Sequence, residues 1–127
     1  MEQFTLITAS ILGGLSVIFG AFGAHALKKI LSEEQLKSFE TGVKYQMYHA
    51  IVLLIIGFNF NFETTSETYM VYSFIIGILL FSFSIYGLVI SSAKNRKLKF
   101  LGPITPLGGL FLIIGWGLLI VSIKTGF

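Results

Sequence analysis

The side chains that could do chemistry in this chain are two histidines, a glutamine and a tyrosine set among apolar runs: His25, Gln46, His49 and Tyr86. Gln46 and His49 are three residues apart and therefore share one face of a helix. His25 ends the first run and His49 lies about one turn into the second, so we expect their rings to lie close together, with Tyr86 within reach. Ionisable groups inside lipid are costly and are candidates for a ligand or proton site. Linking helices by hydrogen bonds is the plainer interpretation.

Other kinds of site lack the residues that they need. The chain has no cysteine, which excludes a disulfide framework and a thiolate metal site. Two histidines on separate helices could ligate a haem, but no c-type attachment motif is present. A metal would need a third ligand, and no carboxylate lies within an apolar run. Neither a nucleophile elbow nor a phosphate-binding glycine loop occurs. We therefore expect no enzyme activity, no cofactor and no metal.

The elements that must position these residues are four long apolar runs. Hydrophobic residues make up 54% of the chain and charged residues 12%, against about 25% charged in soluble domains. The runs cover about residues 4–24, 45–62, 69–93 and 104–123, and each is long enough to cross the membrane as a helix. They are too continuous for barrel strands. The predicted fold is an all-α integral membrane protein, a single domain over 1–127 forming a four-transmembrane-helix bundle.

Basic residues divide the connecting segments into two kinds. Eight of the nine lie between the first two runs or between the last two: Lys28, Lys29, Lys37 and Lys44, then Lys94, Arg96, Lys97 and Lys99. Basic loops stay in the cytoplasm, so the pattern predicts a plasma (inner) membrane protein with both termini outside. The start, Met1-Glu2-Gln3, lacks the basic region of a signal peptide, so we expect a retained span. The net charge of +3 comes without an aromatic platform, and no nucleic-acid partner is expected.

The first basic loop contains a helix start. Ser32 and Gln35 have the spacing of a capping box, and apolar residues follow at helical intervals. We expect a short cytoplasmic helical segment before the second span, which either continues into that span or kinks near Gly42. The segment would be a solvated helix start or an amphipathic stretch in the membrane plane. In the last run, Pro106 is expected at the first helical position with Thr105 as the N-cap.

Small residues recur in three of the runs at spacings that place them on one helix face. Such faces let helix backbones approach closely, which drives association in lipid. The residues are Gly13, Ser16, Gly20 and Gly23 in the first run, Gly77 and Gly87 in the third, and Gly108 and Gly115 in the fourth. They predict tight helix packing, either within a left-handed bundle or between copies of the chain. Trp116 is expected to pack against a glycine.

Three ordered blocks of sequence resemble the domain-of-unknown-function 423 family of small bacterial inner-membrane proteins, itself similar to the transmembrane protein 256 group. The blocks are Gly20-Ala-Phe-Gly-Ala-His25, Phe39-Glu-Thr-Gly-Val-Lys-Tyr-Gln-Met-Tyr-His49, and Ile104-Thr-Pro-Leu-Gly-Gly109 with Gly115-Trp116. A fourth, Phe81-Ser-Phe-Ser-Ile-Tyr86, departs from the family pattern at Phe83, where a glycine is expected. The resemblance covers nearly the whole chain and implies a four-helix multi-pass protein without an established activity.

Three functions from different classes fit such a protein. The first is a small multi-pass membrane protein that binds or passes a hydrophobic or polar ligand at the His/Gln/Tyr cluster on the cytoplasmic side. The alternative is a structural or accessory subunit that docks to a larger membrane complex through its glycine-rich faces. A haem or quinone redox carrier is a third. The lipid bilayer is the expected partner in each case, joined by a second copy of the chain or another membrane protein.

Overall fold

A computed structural model describes residues 1–126, which form four helices. Their bounds are α1, Glu2–Leu27; α2, Glu33–Asn59; α3, Thr65–Ala93; and α4, Ile104–Gly126. A short 3-10 turn over Lys99–Leu101 precedes α4. The prediction of an all-α fold is confirmed. We call the end of the bundle where α1 ends and α2 begins the basic end, because most of the lysines lie there.

Within the part of the chain that the structure describes, three helical segments are long and apolar enough to cross a membrane by length and composition alone. They are Glu2–Leu27, Thr65–Ala93 and Lys99–Thr125. Helix α2 is as long as the others, with 27 residues. It differs in carrying Lys44, Gln46 and His49 in the middle of its length, and such polar side chains lower its mean hydropathy.

Helix α2 begins as the capping box predicts. The Gln35 N–H donates to the Ser32 hydroxyl over 3.1 Å, and the Ser32 N–H donates to the Gln35 side-chain oxygen over 2.9 Å. The helix then runs without a break to Asn59, which agrees with the alternative that the segment continues into the second span. It ends before the predicted limit of residue 62 because Phe60 is extended and Phe62 has a left-handed φ of 58°.

The starts of α3 and α4 were predicted less well than the start of α2. Thr64 and Glu67 form a second capping box, in which the Glu67 N–H donates to the Thr64 hydroxyl over 3.3 Å. Helix α4 begins at Ile104, one residue before the predicted N-cap. The prediction that Thr105 caps this helix is therefore wrong. Its hydroxyl instead shares a hydrogen bond with the Ser84 hydroxyl, which links α3 to the first turn of α4.

Both α1 and α3 contain one π-helical turn, over Phe19–Gly23 and Leu79–Phe83. Such a turn inserts one extra residue and rotates all the side chains that follow it about the helix axis. In α3 the turn directs Ser82 toward the Gly42 carbonyl of α2. The Phe19 ring from the other π turn lies 5.3 Å from the Tyr86 ring. The two irregular turns thus both lie against the same stretch of α2, at Gly42 and Val43.

The glycines of α3 and α4 mark their closest approach. A Cβ added at Gly77 would lie 2.6 Å from Leu112, and one at Gly115 would lie 2.8 Å from the Phe74 ring. At Gly108 an added Cβ would overlap the backbone of Leu80 and Phe81. These two helices therefore pack backbone to backbone. The main core lies between them and the other two helices, around Leu53, Met70, Phe74 and Ile78.

The small residues of α1 lie against α2, with more space. An added Cβ at Gly13 would make an ordinary contact with Ala50 at 3.8 Å. At Gly20 it would lie 3.3 Å from Val43, and at Gly23 it would lie 3.4 Å from Phe39. Ser16 is buried. An added Cβ at Gly87 of α3 would lie 2.6 Å from Leu101. Two glycines of α2 that were not predicted as packing positions are also close to neighbouring helices: an added Cβ would lie 2.7 Å from Tyr86 at Gly42 and 2.6 Å from Leu6 at Gly57.

Candidate functional site

Gln46 is the centre of a buried polar network that joins three helices. Its side chain is fully buried. The amide nitrogen donates to the Leu12 carbonyl of α1 over 2.8 Å, and the amide oxygen accepts from the Tyr86 hydroxyl of α3 over 2.7 Å. A buried amide and phenol are stable in lipid only with such partners. The structure therefore brings Gln46 and Tyr86 together as hydrogen-bonding partners.

Two serines extend this network to the backbone of α2. The Ser16 hydroxyl of α1 donates to the Val43 carbonyl over 3.3 Å, and the Ser82 hydroxyl of α3 donates to the Gly42 carbonyl over 2.6 Å. The absence of a side chain at Gly42 lets the Tyr86 ring lie against the helix there, since a Cβ would come within 2.7 Å of that ring. Interhelical hydrogen bonds of this kind contribute about 0.6 kcal/mol each on average.

His49 has a different partner, which was not among the predicted site residues. Its Nδ1 lies 2.8 Å from the Tyr45 carbonyl, and its Nε2 lies 3.2 Å from the indole nitrogen of Trp116 in α4. A carbonyl can only accept and an indole N–H can only donate. His49 is therefore the neutral tautomer with the proton on Nδ1. The lone pair on its Nε2 accepts the hydrogen bond from Trp116. Ligation of a haem or metal would first have to break that bond.

His25 lies apart from the other three predicted residues. Gly13 faces Ala50, the neighbour of His49, and His25 comes twelve residues later in α1, a rise of about 18 Å. The side chain of His25 is exposed at the basic end. The prediction that the two histidines lie close together is wrong. Equal depth was inferred from span boundaries, but α1 and α2 extend beyond the predicted runs at that end.

The position of Trp116 in the sequence indicates that its indole needs a hydrogen-bond partner. An indole N–H in the middle of an apolar helix needs an acceptor, and His49 offers one from a neighbouring helix. Packing against a glycine, as predicted, would bury the ring but would leave the indole N–H without an acceptor. The ring is half-exposed, so Trp116 lies at the border between the bundle and its surroundings and closes the side of His49 that faces α4.

An open cleft lies beside the buried network, at the basic end. One part, of about 440 Å³, is mostly apolar and lies between Ile85, Leu88 and Pro106. A second part, of about 310 Å³, is mostly polar, with Gln35, Ser92 and Lys97 in its wall. Both parts are lined by Ser38, Leu88 and Val89, so they adjoin. We call the whole the α2–α3 cleft.

The sequence pattern does not predict this cleft. Ser38 and Thr41 of α2 are three residues apart and both line it, so they share one helix face. That face also carries Ser32 and Glu34 nearer the helix start. The sequence predicts this polar face as part of an amphipathic helix. It does not predict that α3 and the start of α4 leave a gap beside that face.

Comparison with known proteins gives one consistent result. The family model described as "Protein of unknown function (DUF423)" matches residues 19–109. A UPF0382 membrane protein of Staphylococcus aureus is 40% identical over 116 residues, covering 88% of this chain and 91% of the relative. The UPF0382 membrane protein YwdK of Bacillus subtilis is 37% identical over 122 residues, covering 92% and 93%. A UPF0382 membrane protein of Haemophilus influenzae is 36% identical over 115 residues, covering 91% and 87%. No solved structure matches the chain.

Proposed function

The chain belongs to the DUF423 family of membrane proteins of unknown function, and we propose that it is a four-span, non-enzymatic protein of the plasma membrane that binds an amphipathic ligand in the α2–α3 cleft. The observation that carries the proposal is the division of this cleft into an apolar part and a polar part that share Ser38. A molecule with a hydrocarbon tail and a polar head would match both parts at once.

Four spans are supported by the two faces of α2. Its polar residues Gln46 and His49 are buried against other helices, whereas Ile51, Ile55 and Phe58 are exposed. Exposed apolar side chains on a helix of 27 residues, about 40 Å long, are suited to contact with lipid. The apolar outer face thus supports α2 as a span even though its average composition is more polar than that of the other helices.

The orientation follows from the basic residues. With four spans, the two segments that carry most of them lie on the same side, and positive segments remain in the cytoplasm. The basic end would therefore face the cytoplasm, and both termini would lie outside. The α2–α3 cleft would then open at the level of the inner-leaflet headgroups.

The ligand class follows from the charges in the polar part. Lys97 and Glu34 both line it, together with the hydroxyls of Ser32 and Ser92. One cation and one carboxylate suit a headgroup that carries both charges, such as a phosphate with an ammonium group. A tail would then lie along Leu88 and Val89 in the apolar part. We therefore propose a zwitterionic phospholipid, with phosphatidylethanolamine as the probe.

Ser38→Phe tests this proposal, because Ser38 is exposed and lies where the two parts meet. The phenyl ring would fill the junction without entering the core. We expect several-fold lower retention of phosphatidylethanolamine by native mass spectrometry. The matched control is Ser10→Phe, at an exposed serine of α1 whose hydroxyl donates only to its own helix, which should retain lipid like the wild type.

Equal retention by both variants would contradict ligand binding in the cleft. If a fixed membrane-protein partner were purified equally with the wild type and with Ser38→Phe, while no lipid was retained in the cleft, the accessory-subunit alternative would be supported instead. The polar network takes no part in this test, since both serines lie outside it.

A further inference from the structure

A second pocket lies at the basic end, on the other side of α3. It has a volume of about 420 Å³ and apolar walls that include Gly87, Ile90 and Leu98. Lys94 and Arg96 also line it. It shares no lining residue with the α2–α3 cleft, so the two are independent. We call it the Lys94–Arg96 pocket.

The segment that forms this pocket is held in place by the end of α3. Asn95 has a left-handed φ of 57°. The Arg96 N–H donates to the Ser91 carbonyl over 2.9 Å, and the Asn95 N–H donates to the Ser92 carbonyl over 3.1 Å. This pair of bonds is a Schellman motif. It turns the chain back so that Arg96 lies beside the last turn of α3.

A side chain of α3 fixes the rest of the segment. The Ser91 hydroxyl accepts from the Leu98 N–H over 3.1 Å. This bond holds Leu98 over the pocket as one of its walls. Hydrogen bonds to the end of α3 therefore hold the backbone that carries the two cations.

The charged residues that line the pocket, Lys94 and Arg96, have one sign. No acidic residue occurs in the chain after Glu67, and the segment 94–99 carries four basic residues. Apolar side chains alternate with these bases, and both Leu98 and Phe100 are exposed. A segment with exposed apolar side chains between lysines is suited to the membrane interface, where its apolar groups enter lipid and its charges meet phosphates.

We infer that the Lys94–Arg96 pocket binds an anionic phospholipid. Lys94 and Arg96 would pair with the phosphodiester, and one acyl chain would lie against Gly87 and Ile90. The apolar walls favour a lipid over free phosphate, because a free anion has no group to occupy them. The single sign of charge distinguishes this pocket from the α2–α3 cleft, where a base and an acid occur together.

The double variant Lys94→Gln, Arg96→Gln tests the inference in detergent micelles that contain phosphatidylglycerol and phosphatidylcholine. We expect the wild type to retain phosphatidylglycerol preferentially. The variant should lose about thirtyfold in phosphatidylglycerol affinity, the change expected for two basic residues beside an anionic surface. The control is Lys28→Gln, Lys29→Gln, which removes the same charge from the basic end outside the pocket and should leave the preference nearly intact.

Equal losses in the two double variants would overturn the inference, since the effect would then be general attraction to a basic surface. Displacement of the lipid by millimolar inorganic phosphate would overturn it too, because the acyl chain would then contribute nothing. Ser38→Phe should leave phosphatidylglycerol retention unchanged. This last measurement separates failure of the pocket from failure of the α2–α3 cleft.

Discussion

Gln46 uses both ends of its amide to hold neighbouring helices, which explains why a costly polar group lies in the middle of this bundle. Its oxygen accepts from Tyr86 and its nitrogen donates to Leu12. Each partner belongs to a different helix, so the bonds determine how α1 and α3 are rotated about α2. At this residue scale, three of the four polar groups considered as a ligand or proton site, Gln46, His49 and Tyr86, form hydrogen bonds between helices, and the ligand proposal concerns the neighbouring cleft.

Tyr86→Phe should destabilise the folded protein, because it leaves the buried Gln46 oxygen without a donor. The cost of one unpaired buried acceptor is about 1–3 kcal/mol. Thermal unfolding in detergent would measure it as a lowered midpoint. Tyr48→Phe is the control, since Tyr48 is exposed and the same hydroxyl is removed. Equal midpoints for the two variants would show that the Tyr86–Gln46 bond contributes nothing.

At the scale of elements, the four helices pack as two kinds of pair. Helices α3 and α4 touch through glycines at backbone distance, with Gly108 against Leu80 and Phe81. Helices α1 and α2 meet through side chains, as at Gly13 with Ala50 and Gly57 with Leu6. The π turn of α3 covers Leu79–Phe83, directly where Gly108 approaches. An irregular helix and a glycine thus occur at one contact, and we expect that contact to tolerate substitution least.

Gly108→Ala should therefore destabilise the bundle more than alanine at other glycines. The added methyl overlaps backbone atoms, which cannot rotate away as a side chain can, and overpacking of this kind costs about 1–3 kcal/mol. Gly117→Ala is the matched control in the same helix, because no atom lies within 4 Å of its added Cβ. Gly20→Ala, near the Val43 methyl at 3.3 Å, should be intermediate. The thermal midpoints in detergent would rank the three, and a midpoint for Gly108→Ala as high as that of Gly117→Ala would contradict the close packing.

At the scale of the whole molecule, one end of the bundle differs from the other. The basic end carries both the α2–α3 cleft and the Lys94–Arg96 pocket, on two sides of α3. At the opposite end, the segment between α2 and α3 contains Glu63 and no basic residue. This asymmetry predicts a direction for the protein in the membrane and would concentrate the proposed lipid contacts in one leaflet.

Single cysteines would test that direction, because the natural chain has none. We expect Asn61→Cys, between α2 and α3, to react with an impermeant maleimide in intact cells. Lys29→Cys, at the basic end, should react only after permeabilisation. Both positions are exposed, so a difference in labelling reports the side of the membrane. The reverse pattern would overturn the orientation, and labelling of both positions in intact cells would contradict four spans.

Several features could be predicted from the sequence because their causes are local. A capping box depends on residues three apart, so Ser32 and Gln35 were sufficient to predict the start of α2. The apolar composition of the runs predicted helices in lipid, where backbone groups must be paired within one segment. Blocks such as Gly20-Ala-Phe-Gly-Ala-His25 were sufficient to indicate the family. None of these inferences required knowing which helices are neighbours.

The partners of the polar residues were decided only by the tertiary structure. Depth along a span leaves the rotation of a helix undetermined, and the π turn at Leu79–Phe83 changes that rotation in a way that no spacing rule anticipates. The pairing of His49 with Trp116 joins residues 67 positions apart, and the separation of His25 from His49 follows from helix ends that extend beyond the apolar runs. The α2–α3 cleft and the Lys94–Arg96 pocket are gaps between elements, so they exist only once the helices have packed.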